Sequence, residues 1–366
     1  MGRLIFDFHD KSIAPNRPAS NAHKQRTECA LAGELTGDVQ ESVKTPLIAP
    51  YARLRPNLQP CFTTMASVDV GCRPVDSAAE GRSHLANGLK VRFWGVRGSI
   101  SCSGAEYTRY GGNTSCLEVT AGGRRLIFDA GTGIRPLGLE LARQTPIDID
   151  IYFTHTHLDH ITGLTFFSPL FEKRNSVRLW AGHLQAPHTL KKVVSNLMQA
   201  PLYPVSLEVF LARVEFNEFK SGDELSCGDM TMRTAPLNHP QGATGYRVEY
   251  GGKSICYITD TEQHGDAPDK AIVDLCRGAD VMIYDSSYTD AEYPRYKGWG
   301  HSTWQEGMRV ADAANVGTLA IFHHDPSHDD AFMDGVAREA AAARPGTAAN
   351  GLPRAIVAHE GLTLSP

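Results

Sequence analysis

The run His155-Thr156-His157-Leu158-Asp159-His160 follows almost directly on the apolar segment Ile149-Asp150-Ile151-Tyr152-Phe153. Three imidazoles and a carboxylate therefore lie within one turn's reach of each other, where a strand empties into a loop. Such a strand end delivers its side chains to one point. Imidazoles with a carboxylate suit zinc or another borderline divalent ion.

The rest of the composition narrows the class. The chain has 366 residues, room for one large domain or two modest ones. A net charge of -5 argues against a nucleic-acid binder that relies on a basic field. No stretch reaches the roughly 18 consecutive apolar residues of a membrane span, and the N-terminus lacks the regions of a secretory signal. Eight cysteines are scattered without a Cys-x-x-Cys pair. That pattern fits reduced thiols in a cytoplasmic protein and removes cysteine as the metal ligand.

Two textures meet near Gly88. Residues 1–88 mix Pro15, Pro18, Pro46, Pro50, Pro56 and Pro60 with polar residues and show no sustained period. They are expected to be a disordered or poorly packed extension, or, before Met65, a gene-model artefact. Residues 89–366 are expected to form the folded domain. Strands are expected at Lys90 to Trp94, Ser115 to Thr120, Arg125 to Phe128, Ile147 to Phe153, Val209 to Phe216, Asp229 to Ala235, Gly245 to Tyr250, Ser254 to Thr259, Val281 to Tyr284, Thr318 to Phe322 and Ala355 to Ala358. Helices are expected at Ile134 to Arg143, His188 to Met198, Thr303 to Ala314 and Asp329 to Ala343. Strands with interspersed helices imply sheets covered by helices.

More candidate ligands share one grammar, an apolar strand with a ligand at its end. His239 lies just beyond the strand through Ala235. Asp260 follows Ile255 to Thr259, His323 follows Leu319 to Phe322, and Asp129 follows Leu126 to Phe128. Strand ends are stiff, so the geometry is set before metal arrives. Together with Phe93-Trp94-Gly95-Val96-Arg97-Gly98-Ser99, Gly111-Gly112-Asn113-Thr114-Ser115, Phe128 to Gly133, Thr259-Asp260-Thr261 and His323-His324-Asp325-Pro326, this pattern resembles the metallo-β-lactamase fold superfamily. Within it, the resemblance is to the branch of ribonuclease Z and the class II cyclic-nucleotide phosphodiesterase-like proteins. It covers Val91 to the C-terminus and implies an α/β (α+β) fold, the four-layer αββα sandwich.

By position, the resemblance implies one metal on His155, His157 and His239, and a second on Asp159, His160 and His323, with Asp260 bridging. Asp129 would orient a ligand imidazole, or alternatively cap the Gly-Thr-Gly turn. Asn113 and His324 are assigned behind the ligands or at the substrate, His323 being preferred to His324 because it directly follows the strand. His183, His188, His264 and His328 are read as surface or structural. Two divalent ions, zinc by default with manganese or iron able to fit, would leave positive charge to spare and acidify a bridging water.

Gly300-His301-Ser302-Thr303 opens a helix. In the ribonuclease Z-like branch this element supplies a histidine that reaches the scissile phosphate, here His301, with Asp285 placed to orient it. Asp159, His301 and Asp285 are thus the catalytic candidates. The interval from His239 to Asp260 lacks room for the tRNA-clasping insertion of ribonuclease Z. The expected substrate is a small phosphodiester, a cyclic nucleotide or cyclic phosphate; tRNA is disfavoured, a membrane is not expected, and a homodimer is left open. Phe166, Phe167, Phe171 and Tyr203 are either a stacking lip or core. The alternatives are an acyl hydrolase (lactonase, thioesterase or β-lactamase) on the same fold, or a ligand-sensing protein with a structural metal.

Overall fold

The computed structural model describes residues 88–265 and 267–366; the expectation for the N-terminal extension falls outside them. Two seven-stranded sheets form the centre. The first is built from β1 (Lys90–Gly95), β2 (Cys116–Ala121), β3 (Arg124–Phe128), β4 (Asp148–Phe153), β5 (Ser176–Ala181) and β6 (Arg213–Glu218). The second runs from β7 (Glu224–Cys227) and β8 (Met230–Leu237) through β9 (Ala243–Tyr250), β10 (Lys253–Ile258), β11 (Val281–Asp285) and β12 (Thr318–Phe322) to β13 (Ala355–Val357). In each sheet, spatial order follows chain order. Only β14 (Thr363–Leu364) crosses back, pairing antiparallel with β1.

Alternation along the strands builds the layers. In β4, Ile149, Ile151 and Phe153 point to a core shared with α1 (Ile134–Leu141) and part of α3 (Leu190–Leu197), while Tyr152 points between the sheets. There it stacks on Trp180 at 5.7 Å and meets Phe128 and Tyr246. Asp150 shares that inner face and is buried. It accepts from Trp180 Nε1 and the Arg178 guanidinium, so its charge is hydrogen-bonded and paired. On the far side, α4 (Lys270–Cys276), α5 (Trp304–Ala313) and α6 (Asp330–Ala343) cover the second sheet through Ile272, Leu275, Met308, Val310, Met333 and Val336. The result is the αββα sandwich. The short α2 (Leu158–Ile161) lies within the histidine run itself.

Strands β3 to β6 run parallel, as do β10 to β13. Parallel strands gather their carboxyl ends on one edge, where open α/β sheets place ligands. Asp129 follows β3, the histidine run follows β4, Asp260 follows β10, and His323 follows β12. Three of these take left-handed backbone, with φ of 61° at Asp129, 57° at Asp260 and 62° at His323. Non-glycine residues rarely hold that conformation, and such strain clusters at functional sites. No described helix is long and apolar enough to cross a membrane.

Candidate metal centre

The strand ends bring together two groups of side chains whose ligand atoms lie within 4.8 Å of one another: His155, His157 and His239, and Asp159, His160, Asp260 and His323. Asp260 faces both. Its Oδ1 is 3.7 Å from His155 Nε2 and from His239 Nε2, while its Oδ2 is 3.2 Å from His160 Nε2 and 3.3 Å from His323 Nε2. Asp159 Oδ2 joins the second group at 3.2 Å from His160 and 3.3 Å from His323.

Each imidazole is anchored by its outer nitrogen. His160 Nδ1–H donates to Asp129 Oδ2 (2.9 Å), His239 Nδ1–H to the Gly300 carbonyl (2.8 Å), and His157 Nε2–H to Gln241 Oε1 (2.9 Å). Thr154 Oγ1 donates to Asp129 and is therefore the acceptor for His155 Nδ1–H at 3.2 Å. Ser287 Oγ, which donates to Asp285 Oδ1, accepts from His323 Nδ1–H at 3.0 Å. These partners aim all the inner nitrogens into the centre, where a neutral ring presents a lone pair, the arrangement that orients metal-ligating histidines.

Lone pairs that converge need a cation between them. His157 Nδ1 and His239 Nε2 face each other at 3.0 Å, and His155 Nε2 is buried without a hydrogen-bond partner among the described residues. Burial pushes His155 well below its ordinary pKa, with the His160 charge adding to the effect, so it stays neutral and ligand-competent. Burial also opposes charge on His160, but Asp260, Asp159 and Asp129 outweigh it and raise its pKa well above the ordinary value. Burial likewise works against charge on Asp260, and His323, His160 and His155 outweigh it and hold the group ionised. A site that draws a proton between two carboxylates and leaves an imidazole nitrogen orphaned fits divalent cations. The donor set, nitrogen and carboxylate oxygen without sulfur, is that of zinc and its borderline neighbours.

His301 borders both groups. Its Nδ1 is 3.0 Å from Asp285 Oδ2 and 3.7 Å from Asp260 Oδ1, and its ring stacks on His323 with centroids 5.0 Å apart. Burial disfavours charge there, but Asp285 outweighs it and raises the pKa to about 9. Thr303, not His301, caps α5, accepting from the Glu306 amide.

Two assigned residues lie elsewhere. His324 is fully buried beneath the loop, donating from Nε2 to the Ala358 carbonyl at 2.8 Å and packing edge-on against Tyr110, so it reaches neither the carboxylates of the site nor solvent. Asn113 binds Glu360 through Nδ2 (2.9 Å), and its carbonyl accepts from Val96 and Arg97, so it shapes the Gly95-to-Ser99 turn rather than touching a ligand. Asp129 does not cap α1, which lacks a side-chain cap. Phe167 is core, whereas Phe166 is 59% exposed and edge-on to Tyr203.

Other contributors to the site carry little signal in sequence. Thr154, Gln241, Ser287 and Tyr257, whose hydroxyl donates to Asp129 Oδ2 at 2.8 Å, support the clustered imidazoles, directly or through Asp129, by contacts that chain order does not announce. Ser99 offers its amide to Asp159 Oδ2 at 2.8 Å. Gly98 lies so close to the His323 ring that an added Cβ would fall 2.4 Å from Cε1 and Nδ1.

The family described as the beta-lactamase superfamily domain matches residues 124–324. The chain belongs to the metallo-β-lactamase superfamily. Ribonuclease Z of Thermoplasma acidophilum is 22% identical over 252 residues, 56% of this chain and 78% of the relative. Among solved structures, the metallo-β-lactamase fold protein YhfI from Bacillus subtilis aligns with a TM-score of 0.55 at 17% identity, covering 77% of this chain and 100% of that one. A diphosphatase from the PhnP family aligns at 0.54 with 19% identity, covering 75% of this chain and 97% of that one. These likenesses are of fold, and divalent metal binding goes with the fold.

Proposed function

We propose that the chain is a dinuclear, zinc-dependent phosphodiesterase acting on a small phosphodiester such as a cyclic nucleotide or cyclic phosphate. His155, His157, His239 and Asp260 Oδ1 would hold one ion; Asp159, His160, His323 and Asp260 Oδ2 would hold the other. When bound, the pair supplies Lewis acidity at the phosphoryl oxygen and a water acidified toward neutral pH.

The observation that carries the phosphodiester reading is His301, fixed by Asp285 against both ligand groups. With Nδ1 committed to Asp285, Nε2 is the atom that can pass a proton to a leaving alkoxide or bond a phosphate oxygen. Asp285 favours the cationic form that does so. The relatives named ribonuclease Z act as such by their names; here His239 and Asp260 are joined only by short turns, β9 and β10, with no inserted domain. That short connection and the net charge of -5 support a small substrate over tRNA.

The test is activity of metal-reconstituted protein against bis(p-nitrophenyl) phosphate, cyclic nucleotides, a lactone and a thioester, with tRNA precursor as a separate arm. Diester turnover lost in Asp159→Ala supports the reading. Protein inert to every diester yet active on a lactone or thioester overturns it.

A further inference from the structure

The segment Tyr293-Pro294-Arg295-Tyr296-Lys297-Gly298-Trp299-Gly300 interleaves aromatic rings with basic side chains immediately before His301. It is held rigidly against the metal centre. The Glu262 carboxylate, two residues past Asp260, accepts from Tyr293 Oη (2.8 Å), Gly298 N (2.7 Å) and Gly300 N (2.9 Å). The Gly300 carbonyl in turn fixes His239. One carboxylate thus ties the loop to the strand end that carries the shared ligand.

On that frame the rings form a ladder leading away from His301. Tyr288 lies edge-on to His301 with centroids 6.2 Å apart, Tyr296 stacks on Tyr288 at 4.2 Å and 5°, and Trp299 meets Tyr296 edge-on at 5.4 Å. Tyr288 is buried, whereas Trp299 is 61% exposed. Arg295 and Lys297 are exposed and have no ion pair among the described residues. An isolated exposed apolar side chain needs no explanation. An exposed indole on a pinned loop, flanked by unpaired cations and one residue from the Gly300–His239 contact, is a different case. Stacking on aromatic rings with cationic help is how single-stranded nucleotides are held, and each stacked base contributes appreciably.

We propose that this loop is the subsite for a planar heteroaromatic ring on the His301 side of the diester, a nucleobase stacked on Trp299, with Arg295 and Lys297 drawing in the anionic ligand. The proposal rests on the phosphodiesterase reading for the word diester, but ring binding has its own readout. The chain has four tryptophans. Trp94, Trp180 and Trp304 are buried, so Trp299 is the one that solvent-borne ligands can quench.

The experiment is a titration of metal-loaded protein with adenosine 5′-monophosphate, and in parallel with ribose 5-phosphate, following tryptophan emission. The nucleotide should quench saturably and the sugar phosphate should not. Trp299→Ala should abolish the quench and weaken nucleotide binding, measured calorimetrically, by about tenfold, leaving sugar phosphate affinity unchanged. Arg295→Ala with Lys297→Ala should weaken nucleotide binding and flatten its salt dependence. No saturable quench, equal loss for both ligands in Trp299→Ala, or a quench obtained only with an oligonucleotide overturns the assignment. Nucleotide quenching in protein that hydrolyses no diester keeps the subsite and sinks the reaction; diester turnover without quenching does the reverse.

Discussion

Asp285 Oδ2 accepts from His301 Nδ1–H across 3.0 Å, while the other oxygen of the same carboxylate receives the Ser287 hydroxyl that supports His323. One buried carboxylate therefore orients the proposed proton donor and one proposed ligand. If His301 passes the proton to the leaving group, its loss should matter most when that group is a poor one. His301→Ala is expected to lower turnover of an alkyl diester about 10²- to 10⁴-fold and of a p-nitrophenyl diester far less, with metal content unchanged. Equal losses for both leaving groups would refute the proton-donor role.

Asp260 divides its two oxygens between the two ligand groups, so its removal should affect both ions. Asp260→Ala is expected to bring bound zinc, counted by elemental analysis, from two per chain to below one. His155→Ala touches one group only and should retain about one ion. Full occupancy in Asp260→Ala would contradict a shared ligand.

Tyr257 donates to Asp129, which holds the His160 ring and the Thr154 hydroxyl. Tyr257→Phe removes one hydrogen bond to a buried carboxylate. It should cost about 1.5–3 kcal/mol of stability by denaturant titration and weaken metal binding by about 10- to 100-fold. An unchanged zinc affinity alongside lowered stability would make Tyr257 a packing residue only.

Gly98 has no room for a methyl group beside His323. Gly98→Ala should displace that ring and lower the affinity of one ion, while a competition titration finds the other ion bound as in the parent. Two undisturbed sites would show that the turn carrying Gly98 yields freely.

The clustering of the candidate ligands was legible in sequence because each lies at the end of an apolar strand, and the physical reason holds in three dimensions: parallel strands end on one edge. Strand β5 escaped notice because Arg178 interrupts its apolar run. That charge is matched by Asp148 and Asp150 across the sheet, which local patterning does not reveal. Helix α4, with seven residues, is too short to show a period. The supporting contacts were hidden for a similar reason. Tyr257 and Asp129 are 128 residues apart, and nothing near either residue names the other. His324 and Asn113 stood in motifs dense with site residues, yet one packs inward and the other shapes a turn. A motif marks a neighbourhood, and within it backbone direction decides which side chain arrives.

Because spatial order follows chain order in each sheet, residues 90–218 make nearly all of the first sheet and residues 224–357 all of the second. The first half brings His155, His157, Asp159 and His160; the second brings His239, Asp260, His301 and His323. Each ligand group draws on both halves. An ion seated in either group would act as a rivet through two plates that are otherwise joined by the inter-sheet core and by the returning β14. Occupancy of the centre would then be a force on the architecture itself, and the proposed ligands would double as its fastening.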